Sequence, residues 1–236
     1  MQTSLRIQNW HGVAAQLGYT WSHALDYETG ELPYVPQDPT NEKAEYGNSD
    51  FDVRNTLTGY ANYRVPVMHG PSRLVGGWEL NSGFSFHGGT PYTVTSASNP
   101  SGNGESADRA VQVMKNPNQG VSHAISSGSV QWFNPNAFVD APLGQYSPTS
   151  RGQNYNPGYS AIDLALLKNT QIVERVSFQF RADMFNIFNR TNLAPVGFAF
   201  AGESGTIGST LGPYLGNPGI GPGEPFNVQF SGKLIF

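Results

Sequence analysis

Phe226-Asn-Val-Gln-Phe-Ser-Gly-Lys-Leu-Ile-Phe236 is the stretch of this sequence that decides the fold class. Its apolar residues recur at every second position with polar residues between them, and Ile235 is the exception. Successive side chains of a β-strand point to opposite faces, so this spacing predicts a strand with one apolar and one polar face.

Other segments of the chain repeat this alternation, although the one that follows Ile162 is less regular. Helix is a poor alternative for them, because β-branched and aromatic residues dominate. With the C-terminal stretch they give about seven predicted strands. The other strands lie in Leu5 to Gln8, Val13 to Ser22, Thr56 to Val65, Trp78 to His87, Ile162 to Leu166 and Val176 to Met184.

The connections between these strands alternate between short and long along the chain. A soluble β-sandwich has the same alternation within its strands, but loops this long are rare in compact soluble domains. Outer-membrane barrels have short periplasmic turns at one rim and long extracellular loops at the other. The sequence therefore predicts an all-β fold, an antiparallel meander of about seven strands from the C-terminal part of a large outer-membrane β-barrel. The long connections are Leu25 to Val53, Gly88 to Gly158 and Thr191 to Pro225.

Composition and charge exclude several classes of partner and binding site. The 236 residues carry a formal net charge of −4, and the basic residues are scattered, which argues against nucleic acid as a partner. The absence of cysteine from the sequence excludes disulfide frameworks and thiolate metal sites. No apolar run approaches the length of a transmembrane helix, whereas barrel strands need only alternating hydrophobicity.

Several motifs, in order along the chain, resemble those of Oar-like TonB-dependent receptors. These outer-membrane proteins usually carry a carboxypeptidase-regulatory-like domain ahead of the plug. The resemblance covers nearly the whole chain, and it is the ordered set of motifs that is specific. The clearest motifs are Leu17-Gly-Tyr-Thr-Trp-Ser-His-Ala-Leu-Asp26, Glu45-Tyr-Gly-Asn-Ser-Asp-Phe-Asp-Val-Arg54, Trp132-Phe-Asn-Pro-Asn-Ala-Phe138 and Phe180-Arg-Ala-Asp-Met-Phe-Asn-Ile-Phe-Asn189.

The resemblance implies a place in the cell outer membrane and a function in transport. It implies TonB-dependent uptake, or in Oar-like cases export, of a bulky solute, with energy delivered by the inner-membrane TonB complex to a plug. The partners it implies are outer-membrane lipid and the barrel assembly machinery, and no cofactor is expected. Gly232, Leu234 and the terminal Phe236 resemble the signal that this machinery reads.

Much of such a transporter is missing from this sequence. Transporters of this type have about 22 strands, against the roughly seven predicted here. No signal peptide or plug is recognised, so we expect residues 1–236 to be a partial barrel, the C-terminal fragment of a transporter. An open sheet would leave two unpaired edges in lipid, where each unsatisfied backbone group costs several kcal/mol.

One set of charged and polar residues is expected to line the barrel lumen. They fall on the polar faces of their strands, where they would pair across strands or contact the plug. His87 stands at the loop end of its strand and is the histidine most suited to contact a ligand. The candidate lumen-facing residues are Arg64, Glu79, His87, Asp163, Arg181, Asp183 and Lys233.

No catalytic, cofactor-binding or metal site is expected, and the chain is not expected to be an enzyme. The Gly208-Ser-Thr-Leu-Gly212 segment has threonine where a nucleophile elbow needs serine, and it lacks a strand–turn–helix context. Carboxylates in the first long loop could bind calcium. A solvated loop, with Asp50 and Asp52 capping turns near Arg54, is the favoured interpretation.

Two other classes of protein remain open from the sequence. One is a secreted soluble β-sandwich that binds carbohydrate or protein. Its apolar faces would pack on each other, and it would be stable without detergent. The other is a small barrel or adhesin formed by oligomerisation of this chain, which would give detergent-dependent, heat-modifiable oligomers.

Overall fold

Seven antiparallel strands form one sheet in the computed structural model of the chain. The structure describes residues 1–28, 36–66, 71–104, 108–197, 199–203, 205–214 and 223–236. Across this described part, no helix has the length and apolar character needed to span a membrane. The strands are β1 (Gln2–Trp10), β2 (Val13–Trp21), β3 (Asn55–Arg64), β4 (Trp78–His87), β5 (Tyr159–Val173), β6 (Val176–Phe185) and β7 (Asn227–Ile235).

Each strand of this sheet pairs with the next strand along the chain, without a crossover. This order confirms the predicted antiparallel meander and all seven predicted strands. The turn between β1 and β2 depends on Gly12, whose φ is +82°. A Cβ at this position would lie 2.8 Å from the backbone oxygen of Arg64, so the close approach of β3 requires glycine.

The register of the sheet separates polar from apolar side chains. Residues that are paired across antiparallel strands point to the same face. Arg181 pairs with Leu167, which pairs with Glu79, which in turn pairs with Arg64. We call the face that carries this row the polar face and the opposite one the apolar face. Leu167 and its neighbour Ala165 are apolar residues on the polar face, where both are buried.

Long and short connections lie at opposite ends of the sheet. The three long loops are residues 22–54, 88–158 and 186–226, and all leave the same end. At the other end, Glu174 and Arg175 form the turn between β5 and β6. β5 extends beyond the predicted strand from Ile162 to Leu166, because its ladder with β6 continues to the Val173–Val176 pair. Of the short connection between β3 and β4, residues 67–70 lie outside the described residues.

The long loops contain short elements of their own. These elements are small two- and three-stranded sheets and single turns of helix. The pairs are Leu25–Asp26 with Gly47–Asn48, Pro91–Tyr92 with Asn154–Tyr155 and Val111–Gln112 with Phe138–Val139, and Ser129–Gln131 lies between Ile125–Ser126 and Thr206–Ile207. The 3-10 helices are Glu42–Glu45 and Pro135–Ala137, and the α-helical turns are Ser72–Val75, in the short β3–β4 connection, and Leu211–Tyr214.

The buried apolar core of the described residues lies mainly in these loops. Phe133 and Phe138 are fully buried and meet edge to face, with ring centroids 5.2 Å apart. Trp132 stacks on His123 at 4.2 Å, and its indole N–H donates to the backbone oxygen of Tyr155 at 2.9 Å. The aromatic residues of the Trp132-to-Phe138 motif therefore anchor the second loop. We call the three packed loops the loop assembly.

Two glycines on neighbouring strands should respond differently to an added methyl group. Gly59→Ala would place Cβ 2.5 Å from Phe84 Cζ and 2.7 Å from the backbone oxygen of Gln16. Because neither the ladder nor the ring can move freely, overpacking should lower the free energy of unfolding by about 1–3 kcal/mol. Gly83→Ala is the matched control, since its Cβ would meet nothing within 4 Å. It should change stability by less than about 0.5 kcal/mol. Urea unfolding in detergent micelles measures both, and equal losses would contradict the packing described.

Candidate functional site

The structure places all seven candidate lumen-facing residues on the polar face. Cross-strand pairing connects Arg64 to Glu79 and places Lys233 opposite Gln179. Arg181 and Asp183 stand two residues apart on β6 and so share this face. His87, paired with Tyr159, lies at the loop end of the same face, and Asp163 is paired with Gly83. That this face lines a lumen stays a prediction.

Ion pairs balance much of the charge on the polar face. Arg181 Nε lies 2.8 Å from both carboxylate oxygens of Asp183, two residues further along the same strand. Arg64 Nε lies 3.7 Å from Glu79 Oε1, which also accepts a hydrogen bond from the Asn62 amide at 2.5 Å. Both arginines are exposed and both carboxylates are half-buried, so the pairs orient the side chains more than they stabilise the sheet.

Asp163 and His87 support the junction between the sheet and the long loops. One carboxylate oxygen of Asp163 accepts from the backbone N–H of Asn186, at 2.8 Å, where the chain leaves β6. The His87 ring stacks on Tyr159 with centroids 5.1 Å apart, and its Nδ1 lies 2.9 Å from the Gly88 oxygen. These contacts hold the ring of His87 against β5.

A depression of about 240 Å³ opens on the sheet where Gly83 has no side chain. Its polar lining includes Tyr60, Asn81, Asp163, Arg181 and Asp183. Hydroxyl, amide and paired charged groups of this kind can bind a polar ligand or a protein segment. They supply no activated nucleophile.

The candidate assembly signal lies along the last strand. Gly232 and Leu234 lie on the apolar face, where they pair with Phe180 and Phe178 of β6. A Cβ at Gly232 would come within 3.2 Å of the Phe178 ring, so the ring packs over the glycine. Phe236 follows the strand and is exposed. Recognition of these residues by the assembly machinery stays a prediction.

A buried ion pair joins the first and second long loops. Arg109 Nη1 lies 2.5 Å from Glu45 Oε2, and only 5% and 3% of the two side chains are exposed. The other guanidinium nitrogens of Arg109 donate to the backbone oxygens of Thr149, at 2.9 Å, and Ala44, at 3.1 Å. The pair thus satisfies its buried charges within the loop assembly.

Gln37 connects the same loops through its amide group. Its Nε2 donates to the backbone oxygen of Ser147 at 3.0 Å. Its Oε1 accepts from the backbone N–H groups of Arg109, at 3.0 Å, and Ser147, at 3.3 Å. Its own N–H donates to Glu45 at 3.1 Å. Buried amides bonded this fully fix the relative position of the segments they join.

Two carboxylates of the first long loop, Asp52 and Glu45, are paired with arginines. Asp52 bonds the Arg54 guanidinium at 3.0 Å and accepts from the Ala24 N–H at 2.8 Å, while Glu45 is paired with Arg109. Within the described residues, no group of three or more histidines and carboxylates is arranged to hold a metal ion.

Burial also changes the acidity of two loop residues. It raises the pKa of the Asp50 carboxyl, an effect that Arg151, 3.9 Å away, opposes and Asp26 increases. Arg151 itself ion-pairs with Asp26 and donates to the Glu45 backbone oxygen at 3.1 Å. Burial raises the pKa of the Tyr92 hydroxyl in the loop core as well.

Sequence reasoning missed the roles of Gln37, Arg109 and Ser147. Their partners lie far away along the chain, since Arg109 and Glu45 are separated by 64 residues. These segments have no periodicity that would indicate which side chains are buried.

One comparison with known proteins gives a match. The family model described as "Outer membrane beta barrel domain" matches residues 1–216. Neither the curated proteins nor the solved structures include a match.

Arg109→Met tests whether the buried pair holds the loops together. It leaves the Glu45 carboxylate buried without its partner, which should cost about 3–5 kcal/mol. The exposed control, Arg64→Met, should cost less than about 1 kcal/mol, because its partner Glu79 keeps a hydrogen bond from Asn62. Native-state proteolysis of the loops measures the change. If both variants resist cleavage as the parent does, the network does not determine loop stability.

Proposed function

The chain belongs to the outer membrane beta barrel domain family, and on that premise we propose that it forms part of the wall and rim of a TonB-dependent transporter. The proposed transporter is of the Oar-like kind that the sequence motifs resemble, and it moves a bulky solute across the outer membrane. The observation that carries the proposal is the division of one seven-stranded sheet into a polar and an apolar face.

The apolar face suits contact with lipid. Leu5 and Phe230 on this face are 59% and 69% exposed, and Leu17, Phe178 and Leu234 are also exposed. In a soluble β-sandwich such side chains would pack against a second sheet. Within the described residues no second large sheet covers them. This exposure favours the barrel over the sandwich.

The direction of the two edge strands favours a wall that further strands complete. In a meander of seven strands, β1 and β7 run in the same direction. A second copy inserted in the membrane in the same orientation would therefore pair its β1 with β7 in parallel, whereas outer-membrane barrels are antiparallel. An odd number of additional strands would close the sheet with antiparallel pairs throughout. This argues against a small barrel made only of copies of this chain.

The proposed roles of individual residues follow from their faces. The polar-face set, from Arg64 to Lys233, lines the lumen, where it faces a plug that another part of the transporter supplies. Gly232, Leu234 and Phe236 serve as the signal for barrel assembly. Outer-membrane lipid, the assembly machinery and the TonB complex are the proposed partners, and no residue acts as a catalyst.

Energised uptake is the direct test of this function. Cells that lack the gene encoding this chain should lose growth on a bulky solute that porins exclude. Loss of TonB should give the same defect, because the proposed transport draws on the inner-membrane proton-motive force. A gene copy without residues 226–236 should fail to restore growth, and an intact copy should restore it. Chain-dependent uptake that persists without TonB would contradict the proposal.

A further inference from the structure

A cleft of about 460 Å³ lies between the first and second long loops. This size falls within the range of small-molecule sites in proteins. The cleft does not belong to the polar face of the sheet, because its lining comes from the loop assembly alone. The residues that give it its chemistry are Asp38, Asn41, Lys43, Tyr46, Tyr146 and Ser150.

The floor of the cleft is held in place before any ligand arrives. Gln37, Arg109 and Ser147 reach the cleft and are themselves buried. The hydrogen bonds among these three residues and the Arg109–Glu45 ion pair fix both walls. A ligand would therefore bind without first ordering the loops, which lowers the entropic cost of binding.

The charges around the cleft offset one another. Asp38 and Lys43 both line the cleft and carry opposite charges, and Glu45 neutralises the guanidinium of Arg109. Hydroxyl and amide groups supply the remaining polar atoms, among them those of Asn41. Such a lining gives no concentrated field for an anion or a cation, and it suits a neutral ligand rich in hydrogen-bonding groups.

Two tyrosines line the cleft, one from each loop. Tyr46 is 50% exposed and Tyr146 is 39% exposed. The Tyr46 ring rests on Tyr27, with centroids 5.1 Å apart, so a neighbouring ring supports it. The negative face of an aromatic ring attracts C–H groups that carry partial positive charge, and tyrosine adds a hydroxyl at its edge. Sugar rings present both C–H faces and equatorial hydroxyls.

We propose that this cleft binds a neutral oligosaccharide, with the Tyr46 and Tyr146 rings against sugar faces and Asn41 among the hydrogen-bonding groups. The site is additional to the proposed transporter wall. Its binding can be measured on solubilised protein without transport, so failure of the cleft and failure of the transport proposal are separate results.

The test is calorimetric titration of the full chain in detergent micelles with neutral trisaccharides of glucose, xylose and N-acetylglucosamine, alongside uncharged tripeptides. At least one trisaccharide should bind. Tyr46→Ala and Tyr146→Ala should each weaken that binding about tenfold or more, as truncated aromatic anchors do. Phe51→Ala is the matched control, since Phe51 is exposed on the same loop and does not line the cleft.

Asn41→Ala distinguishes the loss of a ligand contact from the unfolding of the loop assembly. Asn41 is exposed and its side chain caps no helix, so this variant should keep the near-ultraviolet circular dichroism of the loop core and still bind more weakly. Three results would overturn the proposal. They are the absence of trisaccharide binding, trisaccharide binding that all three cleft variants leave unchanged, and a preference for tripeptides.

Discussion

Backbone hydrogen bonding is the constraint on which this structure depends. A membrane interior offers no water to unpaired N–H and C=O groups, so strands cross it only as a paired sheet. Once the strands pair in register, the alternation of side chains divides the sheet into an apolar face, which we propose meets lipid, and a polar face, which we propose meets water. The Arg181, Leu167, Glu79 and Arg64 row shows how one register carries that division across four strands.

The same constraint explains why the buried core lies mainly in the loops. A sheet that exposes its apolar face to lipid needs no second layer, and Phe230 illustrates this exposure. In the proposed barrel the loops lie beyond the lipid and must bury their apolar groups among themselves, as Phe133 and Phe138 do. Polar anchors such as the Arg109–Glu45 pair then fix the loops against one another. The result is a loop assembly whose segments are fixed against one another.

The sheet could be predicted from the sequence because the pattern that identifies each strand lies within the strand itself. Alternation over about ten residues identifies a strand, and alternating connection lengths identify the meander. The less regular segment at Ile162 shows the limit, since Ala165 and Leu167 interrupt the alternation but point to the polar face. The loop assembly could not be predicted, because contacts such as that of Gln37 with Ser147 join residues 110 positions apart without any periodic signal.

The central claim is that the two faces of the sheet meet different solvents, and cysteine labelling along β6 tests it most directly. The sequence contains no cysteine, so single cysteines can be introduced without background. In outer-membrane preparations, a charged maleimide should label alternate positions, with strong reaction on the polar face and little on the apolar face. Uniform labelling along the strand, or the reverse alternation, would contradict the account. The polar-face positions are Gln179, Arg181 and Asp183, and the apolar-face positions are Phe178, Phe180 and Ala182.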